Sequence, residues 1–172
     1  MKQKQPLFLD SLNDRQFGSI SVGVTIKGLR VISFGHMDSP GSIDKYARRF
    51  NLQPIADKNK TFAVMTQIKE YFAGKRKSFD ADLDLAHLTD FSRKVLMAAY
   101  HIPYGQTATY RQLAASAGSI AYRAVGQVMA HNPIPIIIPC HRIIGTNGSL
   151  TGFGGGIEMK RRLLALEGII IE

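Results

Sequence analysis

The chain holds one cysteine, Cys140, and the residues around it make it a candidate nucleophile. It lies in Pro139-Cys140-His141-Arg142, and Asn132 stands eight residues earlier in Asn132-Pro133-Ile134-Pro135-Ile136-Ile137-Ile138. The thiolate is the reactive form of cysteine. A histidine beside it and basic residues before it suggest a nucleophile that works on a negatively charged macromolecule. The competing reading is an inert thiol, because free cysteine is among the most buried residue types and packs as a small hydrophobe.

Charge sharpens the choice of target. The net charge is +9 and the sequence pI about 9.9, which favours a polyanionic partner. From Phe91 through Ile157 there is no Asp or Glu, while Arg93, Lys94, Arg111, Arg123 and Arg142 fall inside. Such a stretch avoids repelling phosphates wherever it is exposed, so nucleic acid is a better candidate than an acidic protein. A single cysteine excludes an intramolecular disulfide and fits a reducing compartment. No apolar run approaches the ~20 residues a bilayer needs, and Met1 to Asp10 offers no signal-peptide core. The expectation is a cytoplasmic protein, nuclear if eukaryotic, with no membrane partner.

These residues need a scaffold, and the patterning predicts an α+β chain. Ile20, Val22, Val24 and Ile26 alternate with small or polar residues, and after Lys27-Gly28 a second β-rich run reaches Phe34, which reads as a hairpin. Helical spacing follows over Ile43 to Phe50 and again through Phe62, Met65, Ile68 and Phe72, stopping at Gly74. Phe79, Ala81, Leu83 and Leu85 alternate with Asp80, Asp82 and Asp84, as in a half-buried strand with a solvated acidic face. The three aspartates lack the glycine and glutamate of a calcium loop.

From Leu88 the texture changes. Asp90 is placed to cap a helix carrying Phe91, Val95, Leu96 and Ala99. Thr109 caps a short helix, Tyr110 to Ser116, and a turn at Ala117-Gly118-Ser119 leads to a second, about Ile120 to His131, making a helix-turn-helix candidate. Ala121, Ala124, Gly126 and Ala130 give that second helix a small-residue face. Beyond Pro133 the chain is expected to be extended and buried through Ile138. In an extended segment neighbouring side chains point to opposite faces, which places His141 poorly for direct contact with Cys140. Asn147-Gly148 signals a turn. A terminal helix with Met159, Leu163, Leu164 and Leu166 on its apolar face closes at Gly168.

Taken together, Ile102-Pro103-Tyr104-Gly105, Tyr110-Arg111-Gln112-Leu113-Ala114, Arg123-Ala124-Val125-Gly126, Asn132-Pro133-Ile134-Pro135, Pro139-Cys140-His141-Arg142 and Gly155-Gly156 through Glu167-Gly168 resemble the O6-alkylguanine-DNA alkyltransferases. The resemblance covers roughly Leu88 to Gly168. It implies an α/β N-terminal domain with a small antiparallel sheet over 1–87, and a mainly helical, winged-helix-like domain over 88–172 that binds DNA and transfers the alkyl group. It further implies that Cys140 irreversibly takes an alkyl group from O6 of a flipped guanine, with His141 as base through a water, Glu167 holding the imidazole, and Asn132 tying the surrounding segments together. Tyr110 would contact N3 and the adjacent phosphate, and Arg123 would enter the stack from a helix whose Ala124 and Gly126 approach the minor groove. Met129 and Phe153 would wall the pocket, the carbonyls of Cys140 and Ile143 would accept from the exocyclic amine, and the N–H of Gly154 would face O6.

The chemistry agrees with that picture. Displacing guanine from an alkyl carbon needs a soft nucleophile, and an atom inside the duplex reaches a buried thiol only if the base is flipped, at a cost of a few kcal/mol. The expected partner is double-stranded DNA bearing O6-alkylguanine, met by a monomer, with O4-alkylthymine and association along DNA left open. No cofactor and no metal are expected. Many members have Tyr where Phe153 stands and Ser where Gly154 stands, so two hydroxyl contacts to the base are absent here. The alternative is a non-catalytic alkyl-lesion-binding protein that recruits other repair factors, but such proteins carry another residue at the nucleophile position.

Overall fold

The structure is a computed structural model, and it describes residues 4–35 and 43–171. Met1 to Gln3 of the N-terminal reading lie outside the described residues. The chain divides into two compact units, Met1–Leu85 and Ala86–Glu172.

The first unit is a four-stranded sheet with two helices. Its strands are β1 (Gln5–Asp14), β2 (Gly18–Thr25) and β3 (Gly28–Phe34). After the helix α1 (Ile43–Arg49) comes β4 (Leu52–Ala56), and then the helix α2 (Lys58–Phe72). The sheet order is β3-β2-β1-β4. The predicted hairpin is β2 with β3, in register from Ile20 opposite Phe34 to Thr25 opposite Gly28. The sheet is mixed rather than purely antiparallel, because β4 joins β1 in parallel, from Gln5 opposite Leu52 to Leu9 opposite Ala56. Neither β1 nor β4 announces itself by alternation. Leu7-Phe8-Leu9 is a continuous apolar patch, and Pro54 marks β4 as an edge strand.

One core cluster joins Leu7, Leu9, Val31, Ile43, Ala47 and Leu52 under α1. Helix α2 packs on β1 and β2, with Phe72 stacked on Phe17 at 4.3 Å. Asp57 caps α2 by accepting from the N–H groups of Asn59 and Lys60. Phe62, expected on the apolar face, is instead 69% exposed, and Val64, Met65, Ile68, Tyr71 and Phe72 are the residues that turn inward.

Residues 79–85 are not a strand. Only Leu83 forms a bridge, to Leu29, flanked by Leu29 N–H to the Asp82 carbonyl and Asp84 N–H to the Leu29 carbonyl, both 2.8 Å. Asp84 is buried rather than solvated, accepting from Arg30 Nη1 at 3.0 Å and from Thr25 Oγ1 at 2.6 Å. An inward counter-ion for Arg30 breaks the polar-out pattern that the alternation suggested. The approach requires Gly28, whose φ is +132 and whose added Cβ would meet the Asp82 carbonyl oxygen at 2.3 Å.

The second unit contains α3 (Asp90–Tyr100), the two-residue strand β5 (Ala108–Thr109), α4 (Tyr110–Ser116), α5 (Tyr122–Ala130), a 3-10 turn (Cys140–Arg142), the two-residue strand β6 (Ile143–Ile144) and α6 (Ile157–Leu166). Helices α3, α4 and α5 pack against one another. Thr89, not Asp90, caps α3 by accepting from the Ser92 N–H, and Asp90 sits in the first turn where a carboxylate suits the helix dipole. Thr109 caps α4 as predicted and forms a capping box with Gln112. Helix α5 begins two residues later than expected, leaving Ile120 87% exposed. Among the described residues no helix is long and apolar enough to cross a membrane.

Candidate active site

The thiol is positioned by a turn that Asn132 closes. Residues 134–138 are buried, as expected, but they turn back rather than run extended, with Ile138 N–H bonded to the Ile134 carbonyl at 2.9 Å. Asn132 bridges both ends of this turn: its Oδ1 accepts from Ile134 N–H at 3.0 Å and its Nδ2 donates to the Ile138 carbonyl at 2.8 Å. The turn forces Ile136 to a φ of +74, a conformation that costs a β-branched residue ~1–3 kcal/mol. The Asn132 side chain also hydrogen-bonds Cys140, so one amide holds the segment and its cysteine.

Cys140 itself opens the 3-10 turn and is partly exposed. In such a turn successive side chains lie roughly 120° apart, since three residues complete a turn. His141 therefore points away from Cys140 into the interior, where it is 0% exposed and its Nε2 donates to Glu167 Oε1 at 2.8 Å. The expectation that His141 does not face the thiol directly holds, although the backbone is turned and not extended.

Glu167 lies just past the end of α6, and its carboxylate is shared. Besides His141 it accepts from Arg142 Nη2 at 2.8 Å, Arg142 Nε at 2.9 Å and the Gly105 N–H at 3.1 Å. Gly105 reaches this position with a φ of +74. Arg142 also donates to the Ile102 carbonyl and packs on the Tyr104 ring, whose hydroxyl donates to the Leu166 carbonyl at 2.8 Å.

Electrostatics follow from this burial. Burial lowers the His141 pKa, with the hydrogen bond and charge of Glu167 opposing, so the imidazole stays neutral near pH 7 and able to accept a proton. Burial pushes the Cys140 thiol up, opposed by the Asn132 hydrogen bond and by the charge of Lys160.

On the outer side of α5, Arg123, Gln127 and Ala130 are exposed, while Val125 and Met129 are buried, and α5 packs against α3 and α4. Gly126 leaves room for Tyr110, whose ring edge would lie 4.0 Å from an added Cβ. The Tyr110 hydroxyl accepts from Thr151 Oγ1 at 3.2 Å. The β5–β6 pairing, Ala108 opposite Ile143 and Thr109 opposite Ile144, fastens the thiol turn to the start of α4. Phe153 is half-buried, and Gly154 is exposed, with nothing within 4 Å of an added Cβ.

Known proteins resemble this chain in sequence and fold. The family described as "6-O-methylguanine DNA methyltransferase, DNA binding domain" matches residues 90–169. The inducible methylated-DNA–protein-cysteine methyltransferase of Bacillus subtilis is 38% identical over 171 residues, covering 97% of this chain and 94% of that protein. The chain belongs to the methylated-DNA–protein-cysteine methyltransferase family. The family's Mycobacterium tuberculosis member is 53% identical over 105 residues, 60% of this chain, a match that spans 63% of the mycobacterial protein's length. A crystal structure of Mycobacterium tuberculosis OGT in complex with DNA superposes with a TM-score of 0.79 at 36% identity, covering 94% of this chain and 93% of that one.

Within this methyltransferase family frame, two site residues depart from the sequence reading. Arg142, read only as one of the cations within the carboxylate-free stretch, is buried as the counter-ion of Glu167. Lys160, assigned no role from the sequence, is 0% exposed, and its Nζ donates to the carbonyls of Ile143 and Thr151. A signal for it existed. Lys160, Leu163, Leu164 and Glu167 share the i, i+3, i+4, i+7 spacing of one helix face, so a lysine stands on the apolar stripe.

Proposed function

We propose that this chain repairs DNA by moving an alkyl group from O6-alkylguanine in double-stranded DNA irreversibly onto Cys140, after flipping the base. The observation that carries this reading is a half-buried Cys140 followed in the chain by a wholly buried, neutral His141 held by Glu167. Because Nε2 is committed to Glu167, the thiol proton passes through a water to Nδ1, and Glu167 stabilises the resulting imidazolium. The S–C bond forms as the C–O6 bond breaks, and the electron pair leaves on guanine, with Tyr110 at N3 and the Gly154 N–H at O6, as an anion that takes its proton from water. Met129 and Phe153 wall the pocket, and the carbonyls of Cys140 and Ile143 read the exocyclic amine. The domain carrying this work is 88–172, preceded in the sequence by an N-terminal domain of 1–87.

Arg123, Ala124 and Gly126 form the DNA-facing side of α5, acting as a monomer in the cytoplasm, or the nucleus if the source is eukaryotic. The non-catalytic lesion-binding alternative is disfavoured by Cys140. Intact mass after mixing with O6-methylguanine DNA tests the proposal. Each molecule is expected to gain one methyl group, mapped to Cys140, with unmodified guanine left in the DNA. Turnover beyond one equivalent, or a methyl mapped elsewhere, would overturn it.

Arg123 is exposed at the start of α5, where it can fill the gap left by the flipped base. Offsetting one or two kcal/mol of unstacking is worth roughly 5–30-fold. Arg123→Ala is expected to slow duplex repair by about that factor while leaving the reaction with free O6-benzylguanine base nearly unchanged. Equal losses in single-turnover rates on the two substrates would argue against intercalation.

A further inference from the structure

Tyr110 is the first residue of α4, and its backbone is fixed there by the capping box that Thr109 forms with Gln112. Its ring lies along α5, where Gly126 leaves room for the Cε1 edge. Neither contact decides which way the phenol hydrogen points. A hydroxyl has one hydrogen to donate and lone pairs with which to accept, and the hydrogen turns to suit its partners.

The partner that settles this is Thr151, 41 residues further along the chain. Its Oγ1 donates to the Tyr110 hydroxyl oxygen at 3.2 Å. By accepting, the phenol uses a lone pair and keeps its own hydrogen to give. Thr151 is itself anchored, since its carbonyl accepts from Lys160 Nζ at 3.2 Å, and Lys160 is wholly buried on α6. The hydroxyl of Tyr110 is thereby held from α6 rather than from its own helix.

We propose that Thr151 is a positioning residue for the transfer: its hydroxyl orients Tyr110 so that the phenol donates to N3 of the departing guanine. This rests on Cys140 being the alkyl acceptor and on Tyr110 facing N3. As the S–C bond forms and the C–O6 bond breaks, the electron pair passes to guanine, and part of that charge sits at N3. A phenol whose hydrogen already points there stabilises the charge without first giving up another partner. The hydrogen stays on Tyr110 throughout. Because the charge is larger in the transition state than in the bound lesion, the contact acts on the rate of transfer more than on affinity. With a methyl group in place of the threonine hydroxyl, the phenol turns freely and its donor is no longer aimed.

The test is single-turnover methylation of Cys140, at saturating protein, by duplexes carrying O6-methylguanine or O6-methyl-3-deazaguanine, in which a C–H replaces N3. Losing a donor aimed at developing charge costs roughly 10²–10³ in rate, and losing only the group that orients it is expected to cost about tenfold. Thr151→Val should therefore slow transfer from O6-methylguanine by about that factor, with Thr151→Ser restoring most of the rate. On the 3-deaza duplex the gap between Thr151→Val and wild type is expected to close to within about twofold, because the acceptor is gone. Combining Thr151→Val with Tyr110→Phe is expected to add nothing to Tyr110→Phe alone. Thr151→Ala gives the same contrast if the valine variant does not fold. Equal slowing of a folded variant on both duplexes shows a merely structural role and overturns the proposal, as does a wild-type rate on O6-methylguanine. Wild-type protein that gains no methyl at Cys140 defeats the functional reading itself, so the two failures are distinguishable.

Discussion

Cys140→Ser is expected to abolish alkyl transfer while DNA affinity stays within about twofold of wild type, and the two readouts separate nucleophile from scaffold. A serine hydroxyl is far less acidic than a thiol and lacks the soft sulfur, so neither the Lys160 charge nor the His141 relay can make it a comparable nucleophile. Loss of transfer by at least ~10³-fold is the expected scale for removing a nucleophile outright. The side chain that changes is small and hydrogen-bonds only locally, through Asn132, whereas the exposed face of α5 with Arg123 and Gln127 is untouched. Methyl incorporation by mass and duplex affinity by fluorescence polarisation would be measured on the same preparation. Transfer by the serine variant near the wild-type rate would remove Cys140 from the mechanism.

Glu167→Ala is expected to be the most destabilising single change at the site. It leaves the Arg142 guanidinium buried without its bidentate partner and strips His141 and the Gly105 N–H of their acceptor. Removing one partner of a buried ion pair typically costs about 3–5 kcal/mol, and in a unit of this size that lowers the melting temperature by more than about 10 °C. Glu167→Gln keeps the shape and some hydrogen bonds, so it should fall between wild type and Ala in stability while still slowing transfer. A melting temperature for Glu167→Ala within a few degrees of wild type would show that Arg142 finds another counter-ion.

The same cluster sets a pH dependence. His141 has its pKa lowered from 6.5 by burial, so below that value the unfolded chain binds a proton that the folded chain refuses. Stability therefore rises with pH through this window, and the wild-type protein should lose stability as pH falls below 6.5. Melting curves across that range check the sign.

Much of this protein was legible as sequence wherever the deciding interactions are local. The Thr109 cap with Gln112, the β2–β3 alternation, the stop of α2 at Gly74 and the glycine turns at 148 and 168 each depend on atoms only a few residues apart. Cys140 with its neighbours and the order of the matching segments sufficed for the family. Long-range pairing was not readable in the same way. Nothing near Asn132 says that its amide will close a turn with Ile136 at positive φ, so an apolar run read as extended. Asp84 looked like one more solvated acid until Arg30, 54 residues away, buried it. Arg142 read only as one cation of the carboxylate-free stretch, yet Glu167, 25 residues on, claims it, and Lys160, given no role by the sequence reading, is enclosed by the carbonyls of Ile143 and Thr151. The physical reason is common to all four. A local pattern determines which way a side chain leaves its element, but whether a charge ends in water or against a counter-ion depends on which apolar surfaces pack over it, and that choice belongs to the whole fold.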